Sequence, residues 1–323
     1  MKAYHKRQLT SKRGFTVRVF VTGATGFVGS AVVKELLNAG HQVLGLARSD
    51  ASAASLAAIG ADLQRGDLND LESLTRGAQA SNGVIHTAFM HEFLRASSPD
   101  EFAAGYQAAA EADRRAIETM SAVLAGSDRP LVFTSGTAGL TPGKVASEDD
   151  RPEAVGRGQT EELVDVLASR GVRSSLVRLA PSVHGDGDHG FVPTLIHIAR
   201  AKGASGYVDE GANRWPAVHR LDAAVLFRLA VEKAPAGSRL HGVAEEGVTL
   251  RDIATIIGKQ LNVPVVSVPS ATAMEHFGPF ARFVAMDVRA SSRLTRERLG
   301  WNPAQRGLIE DLEAGTYFIG SPA

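Results

Sequence analysis

The segment VRVFVTGATGFVG, residues 17–29, constrains the fold of this chain more than any other stretch. A short β-rich run leads straight into Gly23, Gly26 and Gly29, and a segment with apolar residues at helical spacing follows. Glycine lacks a Cβ atom, so the backbone can turn tightly and approach a pyrophosphate, which the free N–H groups and dipole of the next helix attract. The segment therefore predicts a dinucleotide-binding βαβ unit. A turn with a purely structural role is the alternative.

The pattern beyond this unit predicts a doubly wound α/β fold. Apolar runs typical of strands alternate with amphipathic helical segments, and we expect strands near residues 17–22, 41–47, 61–64, 83–88, 130–135 and 174–180. A long alanine-rich helix is expected near residues 100–124. Alternation of strands and helices indicates a Rossmann-type parallel sheet with helices on both faces.

Domain boundaries follow from changes in this pattern. Residues 1–16 are basic and polar, and we expect a flexible tail. Residues 17–183 form the predicted NADP-binding Rossmann domain, because residues 181–190 interrupt the alternation. Residues 184–323 are expected to form mainly a smaller α/β lobe on the substrate side, with strands that can return to the Rossmann sheet.

Composition excludes several classes of function. Lys and Arg together number 35, as do Asp and Glu, so the chain lacks the basic field that nucleic acid or an anionic membrane requires. The absence of cysteine excludes disulfides, thiolate nucleophiles and cysteine-based metal sites. No apolar run approaches the length of about 18 residues needed for a membrane span, and the tail lacks the apolar core of a secretion signal. We therefore expect a cytoplasmic protein that acts on a small molecule.

Residues after the second predicted strand indicate which dinucleotide binds. Arg48 lies about 20 residues beyond Gly29, where NAD-binding domains place an acid on the ribose 2′-hydroxyl. A guanidinium suits a 2′-phosphate because it forms bidentate, charge-assisted hydrogen bonds, and Ser49 adds a hydroxyl. We predict NADP(H), although Asp50 leaves NAD open unless it caps the next helix.

Four motifs together resemble the extended short-chain dehydrogenases, the NAD(P)-dependent epimerase/dehydratase family. They are TGATGFVG at 22–29, GDL at 66–68, TSG at 134–136 and RLAPSVHG at 178–185, and LTRERLGWNP at 294–303 is similar to the family's C-terminal segment. The resemblance covers about residues 17 to 320. It implies a Rossmann domain with a small substrate domain, hydride transfer, and homodimers formed through two long helices of each subunit.

The resemblance also implies a set of cofactor-binding residues by matching position. Those on the pyrophosphate are Gly23, Thr25, Gly26, Phe27 and Val28. Those beside the adenine are Asp67 and Leu68, and those along the nicotinamide ribose and behind the nicotinamide are Thr87, Ala88, Pro181, Ser182 and Val183. Phe89 follows them at the carboxyl end of the fourth strand, where open α/β sheets bind ligands.

The chain departs from the family pattern at its catalytic helix. Ser135 matches the family's catalytic serine, but the helix should then carry Tyr, two residues, Ser or Thr, and Lys. Thr160 fits the hydroxyl position, which puts Arg157 on the tyrosine and Glu161 on the lysine. None of the four tyrosines lies in this helix; they are Tyr4, Tyr106, Tyr207 and Tyr317. The departure puts standard acid catalysis, epimerisation and dehydration in doubt.

Three hypotheses for the chemistry remain open. Hydride can add to an iminium carbon, which needs no proton donor and which the carboxylate of Glu161 would favour. It can add to a ketone if a relocated group serves the oxygen, and the candidates are Ser135, Arg157, His184, His189 and Tyr207. The chain can also bind NADP without catalysis, as a redox sensor. An ion pair between Arg157 and Glu161 is the structural alternative for those two residues.

Several further residues are candidates for the substrate pocket. HGDGDHG at 184–190 concentrates histidines and aspartates, and we expect a mobile substrate loop there and no metal site. The residues expected to line the pocket are His91, His189, Phe191, Tyr207 and Trp215. His86, at the end of the fourth strand, is expected to be a core histidine. We predict an NADPH-dependent reductase of a C=N or C=O bond in a small, partly apolar molecule.

Overall fold

The computed structural model describes residues 16–95, 98–140, 143–152, 156–314 and 316–318, so the predicted tail lies almost entirely outside the described residues. The strands are β1 Arg18–Thr22, β2 Gln42–Ala47, β3 Asp62–Arg65, β4 Gly83–His86, β5 Pro130–Gly136, β6 Val145–Ala146, β7 Arg173–Leu179, β8 Ser182–His184, β9 Ser205–Val208, β10 Arg214–His219, β11 Ser238–Gly242, β12 Glu245–Thr249, β13 Val265–Val268 and β14 Arg289–Ala290.

The α-helices are α1 Phe27–Asn38, α2 Asp50–Ala58, α3 Leu71–Gln79, α4 Pro99–Leu124, α5 Arg157–Ser169, α6 Phe191–Lys202, α7 Arg220–Lys233, α8 Leu250–Leu261, α9 Ala273–Phe277, α10 Ala281–Val284, α11 Arg293–Leu299 and α12 Leu308–Glu313. Over the described part of the chain, no helix is both long enough and apolar enough to cross a bilayer.

Seven parallel strands form the central sheet, in the order β11-β7-β5-β4-β1-β2-β3. This arrangement confirms the predicted Rossmann-type α/β fold. The strand order reverses between β1 and β4, where Thr22 is paired in register with His86. In open α/β sheets the crevice at such a reversal, at the carboxyl ends of the strands, is where ligands bind.

The second half of the chain contributes to this sheet as well as to a smaller lobe. β11 pairs in parallel with β7 at the edge of the sheet, and α7 packs beside α1 on one face. Val32 and Leu36 of α1 share a buried cluster with Leu226 and Phe227 of α7. Burial of these side chains ties the C-terminal half to the Rossmann core.

The lobe has its own apolar core. Trp215 and Ile253 are buried there together with Val192, at the start of α6, and Leu308 of α12. Two small sheets frame the core, in the orders β12-β10-β8 and β13-β9. Because β8 and α6 follow directly after β7, the lobe begins at the carboxyl ends of the central strands, where the crevice also lies.

Candidate active site

The glycine turn after β1 has the geometry of a pyrophosphate cradle. Gly23 has φ +68°, a left-handed conformation that favours glycine. A Cβ atom on Gly29 would lie 2.0 Å from the carbonyl oxygen of Gly23. Helix α1 begins at Phe27, and its N-cap, Gly26, has no side chain to cap the first N–H groups. The turn therefore has room for a phosphate at an uncapped helix N-terminus, and the residues present fit a dinucleotide.

The end of β4 lies directly beside this turn. Thr87 donates a hydrogen bond from Oγ1 to the carbonyl oxygen of Thr22 at 2.8 Å. A Cβ atom on Gly23 would lie 2.7 Å from the nitrogen of Ala88. Thr87 and Ala88 therefore line the crevice next to the cradle, where the resemblance places the nicotinamide ribose. Thr25 is exposed on the turn, and Val28 packs partly against the core.

Two groups from the second half of the chain reach over the cradle. The ring of His189 contacts Phe27 edge-on, with centroids 5.8 Å apart. The guanidinium carbon of Arg220 lies 5.2 Å from the centroid of the same ring. Arg220, the first residue of α7, therefore brings a further cation to the glycine turn.

The adenine end of the crevice carries two arginines on neighbouring strand ends. Arg48 is exposed directly after β2, and Ser49 caps α2 by accepting the N–H of Ser52 at 3.2 Å. Asp50, the residue that left NAD open, accepts a hydrogen bond from Arg65 Nη2 at 2.6 Å. Asp50, the carboxylate near Arg48 that the sequence identified, is therefore paired with Arg65 at the end of β3.

The other predicted cofactor residues are placed around the same edge. Asp67 accepts backbone hydrogen bonds from Asn69 at 2.8 Å and from Asp70 at 3.2 Å, so its carboxylate shapes the loop after β3. Leu68 packs against the buried cluster on that side of the sheet. Pro181 and Val183 are half-buried and Ser182 is buried, at the entry to the lobe.

Arg157 is the first residue of α5 and lies at the ends of β4 and β5. Its guanidinium carbon is 4.3 Å from the centroid of the Phe89 ring, a cation–π geometry. Nη2 donates to the carbonyl oxygen of Thr134, the residue before Ser135, which is itself buried. Nε is 3.9 Å from Asp113 Oδ2, and the side chain is 20% exposed. The start of α5 thus holds a cation that remains partly accessible.

A buried chain of polar groups leads to Arg157 from the sheet. Thr22 Oγ1 and His86 Nδ1 are 2.6 Å apart, and His86 Nε2 is 3.0 Å from Asp113 Oδ1. His86 and Asp113 are each 1% exposed. His86 is therefore the hydrogen-bonded core histidine that we expected. Asp113 was missed, although a lone acid on an otherwise alanine-rich helical face is an unusual feature.

The side chain of Glu161 pairs with Arg178 and not with Arg157. This side chain is buried, and Oε2 accepts hydrogen bonds from Arg178 Nε at 2.9 Å and Nη2 at 2.7 Å. The guanidinium of Arg178 is fully buried and also donates to the carbonyl oxygen of Asp150 at 2.9 Å. The structural alternative, an ion pair between Arg157 and Glu161, does not form, because each side chain is held by other groups.

The loop at 184–190 is tied to the C-terminal segment. His184 is fully buried, and its Nδ1 is 2.9 Å from Asp311 Oδ2. The hydroxyl of Tyr317 donates to Asp188 Oδ2 at 3.0 Å and accepts the N–H of Gly185 at 3.0 Å. Burial raises the pKa of the Asp188 carboxyl above its ordinary value. These contacts give His184 and Asp188 structural partners.

An aromatic wall lines the crevice above Arg157. The ring of Phe89 contacts those of His91 at 5.3 Å and Tyr106 at 6.5 Å, and Phe93 contacts Tyr106 at 5.4 Å. Phe102 extends the wall by contacting the ring of Phe93 at 5.3 Å. Burial, and secondarily the charge of Arg157, lower the pKa of His91. The wall comes from α4 and the loop after β4.

The lobe supplies the opposite part of this wall. Phe191 contacts Trp215 and Phe283, each with centroids 5.4 Å apart, and Phe283 contacts Phe102 of α4 at 6.5 Å. The predicted pocket residue Phe191 therefore joins the aromatic wall, and Trp215 lies behind it, almost fully buried. Tyr207 packs instead against Arg251, 5.3 Å away in the lobe.

Comparisons with known proteins support the family resemblance that the sequence motifs indicate. The model of the NAD dependent epimerase/dehydratase family matches residues 19–241. The chain is 48% identical over 305 residues to uncharacterized protein C2A9.02 of Schizosaccharomyces pombe, covering 94% of this chain and 100% of that protein. It is 27% identical over 281 residues to the 4-hydroxy-2-methyl-3-oxo-4-farnesyl-3,4-dihydroquinoline-1-oxide ketoreductase of Stigmatella aurantiaca, covering 81% and 80%.

A solved structure shows the same fold. The dTDP-glucose 4,6-dehydratase DesIV of Streptomyces venezuelae, with NAD and TYD bound, has a TM-score of 0.72 and 20% sequence identity to this chain. The match covers 93% of this chain and 95% of that chain.

Proposed function

The chain belongs to the NAD dependent epimerase/dehydratase family, and we propose that it is an NADPH-dependent reductase of a carbonyl group in a small, apolar or aromatic molecule. The observation that carries the proposal is the charge at the start of α5. Arg157 presents a cation to the crevice, whereas the carboxylate of Glu161 is enclosed with Arg178.

This charge distribution favours a carbonyl over an iminium substrate. A ketone oxygen gains negative charge as hydride reaches its carbon, and a preorganised guanidinium stabilises that charge. An iminium substrate is already positive, and the carboxylate that would attract it is only 2% exposed. The iminium hypothesis rested on the missing proton donor and, in addition, on the carboxylate of Glu161, and the enclosure of Glu161 removes the second of these supports. A carbonyl-reducing relative, the Stigmatella ketoreductase, supports the same choice.

In the proposed reaction, one group of residues binds the cofactor and another orients the guanidinium of Arg157. NADPH, when bound, supplies the hydride. The glycine turn and the N-terminus of α1 hold its pyrophosphate. Asp113 and the carbonyl oxygen of Thr134 orient the guanidinium of Arg157, and His86 in turn holds Asp113. This support is buried and therefore rigid, as an oxyanion-binding group requires.

The adenine end supports NADPH over NADH. A 2′-phosphate would lie near Arg48, for which no carboxylate partner occurs among the described residues, and near Arg65 on the adjacent strand. Asp50, the acid that would instead bind a 2′-hydroxyl, is within 2.6 Å of Arg65. The guanidinium groups of Arg48 and Arg65, with Asp50 already paired to Arg65, suit the 2′-phosphate of NADPH better than the 2′-hydroxyl of NADH.

The aromatic wall indicates the substrate class. Its rings come from the loop after β4, from α4 and from the lobe, and they are Phe89, Phe93, Phe102, Tyr106, Phe191 and Phe283. Aromatic side chains bury apolar and aromatic groups well, with extra stabilisation from edge-to-face contacts. We therefore propose an aryl or alkyl ketone or aldehyde as substrate.

One substrate panel tests the proposal. NADPH oxidation is measured with an aryl ketone, an alkyl aldehyde, a preformed cyclic imine, and a ketone with added amine. The expected result is turnover of the carbonyl compounds without amine. Turnover of the imine alone would overturn carbonyl reduction. Saturable NADPH binding without turnover of any compound would instead indicate the redox sensor.

A further inference from the structure

Tyr106 lies beside the position from which the family's tyrosine is missing. It belongs to α4, yet its ring packs on Phe89 and Phe93, and the first N–H of α5, that of Arg157, points to its hydroxyl oxygen at 3.5 Å. The side chain is half-buried. A phenol thus reaches the start of the catalytic helix from a neighbouring helix, 51 residues earlier in sequence.

Gly156 makes the room that Tyr106 occupies. A Cβ atom at position 156 would lie 2.5 Å from Tyr106 Cε1 and 3.1 Å from its hydroxyl oxygen. Gly156 also has φ +54°, which disfavours other residues. The glycine before α5 and the tyrosine on α4 therefore form a matched pair that brings the phenol against the helix N-terminus.

The surroundings of the hydroxyl suit a group that gives up a proton. The Arg157 N–H donates to the oxygen, so the phenolic proton remains available to another acceptor. Helix α5 is 13 residues long, and the phenolic oxygen lies at its N-terminus, the positive end of the helix dipole.

Three other groups that could donate a proton have different partners. His184 is fully buried against Asp311. Tyr317 bonds to Asp188, and burial raises the pKa of its phenol. Tyr207 packs against Arg251 in the lobe. None of these contacts involves Arg157 or Phe89, whereas Tyr106 contacts both.

We infer that Tyr106 is the proton donor of the reaction, an inference that rests on the proposed carbonyl reduction. Hydride from NADPH forms the new C–H bond, the carbonyl π bond breaks, and its electron pair moves to oxygen. The phenolic O–H of Tyr106 breaks and its proton goes to that oxygen, which yields the alcohol, NADP⁺ and a tyrosinate. Solvent then reprotonates the tyrosinate. Arg157 contacts the same oxygen and stabilises its charge as the bond breaks.

The test compares Tyr106→Phe with Tyr207→Phe, which removes a phenol in the lobe. The ring of Phe preserves the aromatic contacts. We expect Tyr106→Phe to lower kcat for the ketone roughly 100-fold or more, the usual contribution of general acid catalysis, while the NADPH dissociation constant changes less than about twofold. Tyr207→Phe should keep wild-type kcat. Gly156→Ala, which crowds the same ring, should lower kcat as well. Full activity in Tyr106→Phe would overturn the inference.

A spectroscopic measurement tests the contact without turnover. Tyrosine labelled with ¹³C at Cζ reports on hydrogen bonding of the phenol, and the Tyr106 signal is the one absent from Tyr106→Phe. We expect it to shift when ketone is added to the protein saturated with NADP⁺, while the Tyr207 signal stays. An unmoved Tyr106 signal would count against the donor role. Wild-type protein that reduces no carbonyl compound would instead refute the proposed function.

Discussion

The glycine turn and the first turn of α5 lie at the same edge of the sheet but differ in how the sequence encodes them. At the turn, the required feature is the absence of side chains, and Gly29 leaves a gap in which a Cβ atom would be 2.0 Å from the carbonyl oxygen of Gly23. At α5, the required feature is a set of side chains whose partners come from other elements. Arg157 depends on Asp113 of α4 and Phe89 after β4, and Glu161 depends on Arg178 of β7.

This difference teaches that a binding site formed by the backbone can be identified from a local sequence motif. A site formed by side chains from several elements can change its residues without producing a recognisable motif. By the match of positions made from the sequence, Glu161 lies where a lysine is expected, which reverses the expected charge. In the folded chain Arg178 compensates that charge in the core, and the crevice receives the cation of Arg157 instead. Variants at the two regions should therefore fail in different ways.

The largest expected effect is at the glycine turn. Gly29→Ala places a methyl group against backbone, which has no rotamer by which to yield, so we expect no saturable NADPH binding by calorimetry. Gly139→Ala is the control, because among the described residues its Cβ atom would approach Pro152 Cβ alone, at an ordinary 3.7 Å. Circular dichroism checks that both variants are folded. Wild-type affinity in a folded Gly29→Ala protein would contradict the pyrophosphate site.

The next effect is on stability, at Glu161. Glu161→Ala leaves the Arg178 guanidinium buried without its carboxylate, and we expect the free energy of unfolding in urea to fall by about 3–5 kcal/mol. Glu162→Ala, at an exposed neighbour, should change it by less than about 0.5 kcal/mol. The double variant Glu161→Met with Arg178→Met should recover much of the loss. Unchanged stability in Glu161→Ala, with lost activity, would favour a catalytic role for this carboxylate.

Arg157 should instead affect the chemical step. Arg157→Ala removes the cation from the carbonyl oxygen, and we expect kcat with a ketone to fall about 100-fold, as for loss of an oxyanion-binding donor. The NADPH dissociation constant should stay near the wild-type value. Arg170→Ala, an exposed arginine at the end of α5, should behave as wild type. An Arg157→Ala protein with wild-type kcat would mean that the cation does not contact the oxygen.

The smallest effect is at the adenine end. Arg48→Ala removes one charge-assisted contact to the 2′-phosphate, so we expect the NADPH dissociation constant to rise about tenfold and that for NADH to remain unchanged. Arg76→Ala, which breaks an exposed pair with Glu72, is the control. Equal affinity for NADPH and NADH in the wild-type protein would show that Arg48 does not recognise the phosphate.

The sequence placed six of the seven strands of the central sheet and the glycine turn, because these depend on short-range patterns, whereas β11 was anticipated only as a strand that can return to the sheet. Alternating strands and helices predicted the parallel sheet, and the spacing of Gly23, Gly26 and Gly29 predicted the turn. The short strands beyond the central sheet, such as β6 and β10, were not assigned, since they do not follow the regular alternation of strands and helices.

The partners of Arg157 and Glu161 could not be predicted from local sequence patterns, because they are distant in sequence. Asp113 and Tyr106 lie 44 and 51 positions before Arg157, and only the packing of α4 against the sheet brings them together. Arg178 reaches Glu161 from β7, 17 positions later. The one sequence signal was indirect, namely a tyrosine and an acid set on an alanine-rich helix.

Transfer of deuterium from NADPH labelled at the nicotinamide C4 tests the central claim most directly. The protein is incubated with the labelled cofactor and an aryl ketone, and the product is analysed by mass spectrometry and NMR. The account predicts deuterium on the carbinol carbon of the alcohol, with much less transfer from NADH at the same concentration. Binding of NADPH without label in any carbonyl-derived product would contradict it.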